Sequence, residues 1–199
     1  KFLKHFEYFP QFLENYHDWY EILEKEIRFE QKTVKVWGKK YLEPRLTAVY
    51  GAKKVCHITY TYAKSERILI PFTKALEEIK ELIRKKTHVD FDFVLINLYR
   101  DGKDKVSWHS DNEKTMDSSN IASVSLGSVR KFQVRDKKTK EKIWEQYLEP
   151  GSLVWMKEGS QELFDHQVPK ESKVTKPRIN LTFRKFKKSL VETENKINL

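Results

Sequence analysis

Apolar side chains recur at helical spacing between residues 11 and 27, where Phe12, Leu13, Tyr16, Trp19, Tyr20, Leu23 and Ile27 fall on one stripe. Pro10 stands near its start, where a missing backbone N–H does no harm, so the spacing predicts an amphipathic helix. A second stripe after Pro71 joins Phe72, Ala75, Leu76, Ile79, Leu82 and Ile83, with Glu77, Glu78, Lys80 and Glu81 on the other side. Beyond Phe91 the pattern shortens to runs rich in β-branched and aromatic residues, broken by Asp101-Gly102, Gly127, Pro150-Gly151 and Gly159. With an earlier run at 29–37, these predict strands at 91–99, 106–111, 121–126, 129–135, 143–148, 152–156, 163–168 and 178–184. Many short strands with two helices predict a mainly β fold with flanking helices, an antiparallel double-sheet barrel. The Lys-rich run from Asp136 to Lys142 reads as a hairpin tip, and the chain after Phe186 as a flexible tail.

Composition narrows the partners. The 199 residues fit one core, and 39% hydrophobic residues suffice to fill it. Lys and Arg number 39 against 29 acidic residues, and the resulting +10 charge favours polyanions, nucleic acid first. A single cysteine, Cys56, excludes an internal disulfide framework and fits a reducing compartment. No run approaches the ~20 apolar residues of a membrane span, and no signal-peptide pattern opens the chain. The expectation is a soluble, intracellular protein without membrane contact, nuclear if its cell has a nucleus and otherwise cytoplasmic, acting as a monomer.

In Trp108-His109-Ser110-Asp111 an imidazole and a carboxylate stand two residues apart, and in an extended segment they emerge on one face. His166, in another apolar-flanked run, can supply a third ligand. Two histidines and a carboxylate with the remaining positions open suit non-haem Fe(II), although the same set with water also serves zinc hydrolases.

A polar row near the C-terminus disfavours zinc. From Arg178 to Arg184 the alternation is strict, with Arg178, Asn180, Thr182 and Arg184 facing one way and Ile179, Leu181 and Phe183 the other. Two arginines beside Asn and Thr suit a small dicarboxylate. They lie about 20 Å apart on an ideal strand, so both reach one ligand only by leaning inward, and Arg178 reads as the main anchor. Asn97 and Tyr99 interrupt an otherwise apolar run; they serve either internal hydrogen bonds or a ligand.

Asn97-Leu98-Tyr99-Arg100-Asp101-Gly102, Trp108-His109-Ser110-Asp111-Asn112-Glu113, Ser123-Val124-Ser125-Leu126-Gly127, His166 and Pro177-Arg178-Ile179-Asn180-Leu181-Thr182-Phe183-Arg184 occur in order. Together they resemble the signature of the AlkB family of Fe(II)- and 2-oxoglutarate-dependent dioxygenases, most closely its branch that repairs alkylated bases in duplex DNA. The resemblance implies a double-stranded β-helix (jelly-roll) core with a nucleotide-recognition lid. It implies Fe(II) on His109, Asp111 and His166, and 2-oxoglutarate on Asn97, Tyr99, Arg178, Asn180, Thr182 and Arg184. The implied reaction consumes O2 and hydroxylates N-methyl groups of bases such as 1-methyladenine and 3-methylcytosine, releasing formaldehyde.

A base in a duplex must be flipped out to reach such a metal. Trp37-Gly38 with Lys39 and Lys40 reads either as an intercalating finger among phosphate-binding cations or as a Trp packed under its own loop. The resemblance also implies a lid over Pro44–Gly51, and base-stacking roles for Tyr60 and Tyr62. Asn112 follows the metal aspartate where the family commonly has an acid, and its carbonyl can still accept from an exocyclic amine. Lys39, Lys40, Arg130, Lys131, Arg135, Lys137, Lys138, Lys140, Lys170 and Lys173 are expected in loops around the site, with Lys39, Lys40 and Lys170 on phosphates. The expected divisions are a helical segment over 1–28, a lid over 29–70, the dioxygenase core over 71–186 and a tail over 187–199. An RNA demethylase of the same chemistry, or a non-catalytic nucleic-acid-binding module, are the alternatives.

Overall fold

The computed structural model describes residues 4–36, 39–62 and 65–192. Its first half holds β1 (Phe6–Phe9), α1 (Tyr16–Glu26), β2 (Thr33–Val36), β3 (Lys39–Leu42), β4 (Leu46–Gly51), β5 (Tyr60–Tyr62), β6 (Ser65–Arg67), β7 (Ile70–Pro71) and α2 (Lys74–Thr87). The second half is almost entirely strand: β8 (Phe93–Tyr99), β9 (Val106–His109), β10 (Met116–Gly127), β11 (Arg130–Asp136), β12 (Lys142–Leu148) and β13 (Leu153–Met156). A short α3 (Ser160–Leu163) then precedes β14 (Phe164–Val168), β15 (Arg178–Phe186) and α4 (Lys188–Glu192).

Seven strands form one sheet in the order β1-β13-β10-β15-β8-β4-β7, and β12-β11-β14-β9 form a second, the arrangement of a jelly roll. The strict alternation along β15 explains the stacking. Ile179, Leu181 and Phe183 point out to a core shared with Leu23 of α1 and Leu76, Ile79 and Ile83 of α2. The opposite face looks between the two sheets, where Phe93, Leu95, Phe132, Val134, Leu148 and Val168 make a second core. The polar row of β15 is therefore enclosed, not solvated, and buried polar groups need partners or a ligand.

Several elements depart from the sequence expectation. The first helix starts at Tyr16, not residue 11, because Asn15 takes a left-handed conformation (φ 50°) and the N–H groups of Phe12 and Leu13 donate to the Gly151 carbonyl. Strands from either side of the expected divisions at 28/29 and 70/71 share the large sheet: β1 pairs with β13, and β4, within the expected lid over Pro44–Gly51, pairs with β8. Among its described residues, the 29–37 run is strand over β2, with an isolated bridge from Glu30 to Thr47. At the other end, Lys188–Glu192 of the expected tail is helical.

Gly102 shows why the Asp101-Gly102 turn has no side chain to spare. A Cβ there would lie 1.8 Å from the Glu171 carbonyl oxygen, and the Gly102 N–H donates to Val174 O at 2.8 Å.

Candidate metal centre and cosubstrate cavity

Register brings the two histidines together. β9 and β14 run antiparallel with His109 opposite His166, so both rings leave the same face of the small sheet, their centroids 4.3 Å apart. Asp111 lies two residues beyond the end of β9, and its carboxylate turns back between them, 3.5 Å from His109 Nε2 and 3.7 Å from His166 Nε2. One ligand atom from each of the three falls within 4.8 Å of the others.

The protonation states suit a metal. His109 Nδ1 sits 2.8 Å from Ser107 O; a carbonyl can only accept, so Nδ1 carries the hydrogen and Nε2 presents its lone pair. Burial, helped by the neighbouring His109, pushes His166 down to about 3 and keeps it neutral. Burial opposes ionisation of Asp111, but the Arg184 guanidinium outweighs it and holds the carboxyl well below the usual range. An imidazole nitrogen from each histidine and one ionised carboxylate are the donor set that fits Fe(II).

The polar row of β15 opens on the same cavity. Arg178, Asn180, Thr182 and Arg184 line it with Asn97 and Tyr99 of β8, Arg45, Ser123, His109, Asp111 and His166, against apolar walls from Leu95, Phe132, Met156 and Val168. The register explains the company: Arg178 faces Tyr99, Asn180 faces Asn97, and Ser123 and Ser125 of β10 stand opposite Thr182 and Asn180. Arg178 is 1% exposed and gives one hydrogen bond to Ser125 Oγ at 2.9 Å, while its Nε and Nη1 make none of good geometry. A fully buried guanidinium with unspent donors fits a carboxylate-bearing ligand. Arg184 is otherwise engaged, 2.9 Å from Asp111 Oδ1 and 3.3 Å from Glu113 Oε1. Asn97 accepts from Arg45 Nε at 2.8 Å and donates to Asn180 at 3.3 Å.

The proposed substrate contacts are distributed unevenly. Trp37 and Gly38 lie outside the described residues, as does the choice between finger and packed Trp. Lys39 and Lys40 are exposed on β3, not in a loop, and Asn112 is exposed beside the metal cluster. Tyr62 belongs to β5. Tyr60 is fully buried on Phe93 (centroids 4.9 Å apart), and its hydroxyl donates to Glu113 at 3.0 Å and accepts from Arg184. Its ring is packed in the core, where the resemblance implied a stacking surface.

Of the basic rim expected in loops, Arg130 stands on β11. Its side chain is fully buried, donating to the carbonyls of Asp101, Asp104 and Pro169 and pairing with Glu171, so it braces loops. Lys137 donates to the Gln161 carbonyl, and Arg135 and Lys140 pair with Asp165.

Sequence reasoning missed three residues here. Glu113 continues the His109-x-Asp111 alternation by one more step, a signal present in the sequence. Arg45 falls within the expected lid and instead lines the cavity. Gln161, on α3, accepts from the Asp111 N–H at 2.9 Å, and nothing in its local sequence announces this.

Comparison with known proteins agrees with this geometry. The description "2OG-Fe(II) oxygenase superfamily" matches residues 5–184. DNA oxidative demethylase ALKBH2 of Bos taurus is 36% identical over 178 residues, 84% of this chain and 63% of that protein. Alpha-ketoglutarate-dependent dioxygenase alkB homolog 3 of Mus musculus is also 36% identical over 178 residues, 84% of this chain and 60% of that protein. The chain therefore spans less than two thirds of the length of either relative. A solved structure of OsALKBH1 superposes with a TM-score of 0.58 over 91% of this chain and 96% of that one, at 17% identity, and shares the fold.

Proposed function

Because the chain belongs to the 2OG-Fe(II) oxygenase superfamily, and within it to the AlkB family, we propose that it demethylates alkylated DNA bases by oxidation, using Fe(II), 2-oxoglutarate and O2. Its substrates in this reading are N-methylated bases such as 1-methyladenine and 3-methylcytosine, drawn out of duplex DNA by base flipping, with the protein acting as a monomer inside the cell. One observation carries it: a single cavity joins the His109–Asp111–His166 cluster to Arg178 and its unspent donors.

The residues divide the work. His109, Asp111 and His166 would hold Fe(II) and leave its other positions open. Arg178 would take a carboxylate of 2-oxoglutarate in a two-pronged grip, with Asn97, Tyr99, Asn180 and Thr182 around the rest of the molecule. Arg184 holds Asp111 ionised and in place through their ion pair. Leu95, Phe132, Met156 and Val168 exclude water from the enclosed side. With iron and cosubstrate bound, the site would supply an oxidant that hydroxylates the N-methyl carbon, and the product falls apart to formaldehyde and the unmodified base.

Basic side chains at Lys39 and Lys40 and the +10 charge support a polyanionic substrate, and the relative named a DNA oxidative demethylase supports DNA. The test is formaldehyde release from methylated duplex, single-stranded DNA and RNA after anaerobic loading with Fe(II) and 2-oxoglutarate followed by air. Duplex is expected to be the best substrate and His109→Ala to abolish the signal. Release undiminished in His109→Ala defeats the metal assignment, and release from RNA alone defeats the choice of DNA.

A further inference from the structure

His109 and His166 owe their positions to strand pairing, but Asp111 does not. The β9–β14 ladder ends its histidine side at the His109–His166 pair, and Asp111 comes after it in coil. A metal ligand outside regular structure needs its backbone fixed by something else, because a small misplacement of a ligand weakens the site.

Gln161 meets that need from a separate element. It lies on the four-residue α3, is 1% exposed, and its Oε1 accepts the Asp111 N–H at 2.9 Å across 50 residues of sequence. An N–H can only donate, so the amide orientation is set by chemistry: the oxygen faces Asp111. The amide nitrogen is held as well, 3.0 Å from Ser160 Oγ and 3.5 Å from Met156 Sδ. Helix α3 is tied in turn to the β11–β12 turn, where Lys137 donates from Nζ to Gln161 O and from its backbone N–H to Leu163 O at 2.9 Å. Both ends of the side-chain amide and the backbone that carries it are therefore fixed.

We infer that Gln161 is a positioning residue for the metal centre, holding the backbone of Asp111 so that its carboxylate stands between His109 and His166. The inference rests on the proposed metal site and adds a group outside the ligand set. Supporting groups of this kind change metal affinity about 10- to 100-fold when removed.

The experiment is Mn(II) binding to the metal-free protein, followed by electron paramagnetic resonance, with the thermal midpoint of each metal-free variant recorded alongside. Gln161→Met keeps the shape and loses the oxygen; it is expected to weaken Mn(II) at least about tenfold and alter the bound Mn(II) line shape. In Gln161→Glu a buried carboxyl protonates, so its C=O can accept and its O–H donate as the amide did, and affinity is expected to stay near that of the unaltered protein. Gln161→Met binding Mn(II) normally while His109→Ala does not would overturn this inference and spare the metal site. Normal binding by His109→Ala would overturn both. Should Gln161→Met not fold, amide hydrogen exchange of the unaltered protein decides: slow exchange at Asp111 beside fast exchange at Asn112 supports the bond, and fast exchange at Asp111 refutes it.

Discussion

Burial pushes the Arg178 guanidinium down to about 10, and the Arg130 charge acts in the same direction against the favourable ring and hydroxyl of Tyr99. An anion arriving at its unspent donors would relieve both effects at once. Arg178→Ala is accordingly expected to raise the KM for 2-oxoglutarate by roughly 30- to 150-fold, the equivalent of about 2–3 kcal/mol for hydrogen bonds to a charged group. Arg178→Lys should recover only part of this, since an ammonium is a point charge without the planar fork. Steady-state titration of 2-oxoglutarate measures both; an unchanged KM in Arg178→Ala would remove the anchor. Asn112 tests the opposite side of the cluster. It is exposed next to Asp111, whereas the neighbouring acid, Glu113, is turned away into Tyr60 and Arg184. Asn112→Asp is expected to shift the preference between methylated adenine and cytosine more than it shifts uncoupled 2-oxoglutarate turnover. Equal effects on the two would defeat a base-contacting role.

The β2–β3 and β5–β6 hairpins are held by an ion pair that the sequence gives no reason to expect. Arg67 at the end of β6 pairs with Glu43 at 3.1 Å and donates to Thr47 of β4, and both charged side chains are almost fully buried. Gln31 donates to the Glu43 carbonyl at 3.0 Å, so the β2–β3 hairpin is tied to the same point. Arg67→Met strands a buried carboxylate and is expected to cost about 3–5 kcal/mol in urea unfolding, while the double variant Arg67→Met/Glu43→Leu regains most of it. Equal loss in both would show that packing, not charge, holds the hairpins. The contrast with β15 marks what a sequence can disclose. Arg178 to Arg184 announce a strand and its two faces because side-chain direction has period two, and α2 announces itself through Ala75, Leu76, Ile79 and Ile83, all buried as their spacing predicts. The start of α1 is not legible in the same way, because Phe12 and Leu13 continue the helical stripe while Asn15 breaks the backbone, a conformational fact that spacing does not carry. The metal ligands are legible as residue types, but which groups hold them in place, Ser107, Gln161 and Arg184, depends on contacts across elements.

Closing two sheets over the cluster makes the stability of the whole metal-free molecule depend on pH. His166 is neutral and buried with its proton affinity lowered from 6.5 to about 3, whereas in the unfolded chain it titrates near 6.5. Between those values the unfolded chain binds a proton that the folded one refuses. Stability then rises with pH across the window: it is complete above about 6.5 and drains away as the pH falls toward 3. Asp111 acts lower down. Its folded carboxyl titrates below the ordinary 3.8, so its contribution is present above that value and lost as the pH drops further. The two can be separated because they occupy different windows. In chelator-treated protein the urea midpoint is expected to fall steadily from about pH 6.5 to 4, and His166→Gln, neutral throughout, should flatten that stretch while leaving the steeper loss below it. Added Mn(II) should raise the midpoint of the unaltered protein, because the metal binds the lone pairs of the folded site, and should leave His166→Gln nearly unmoved. A slope between pH 6.5 and 4 that survives in His166→Gln would mean that the proton taken up on unfolding belongs elsewhere in the fold.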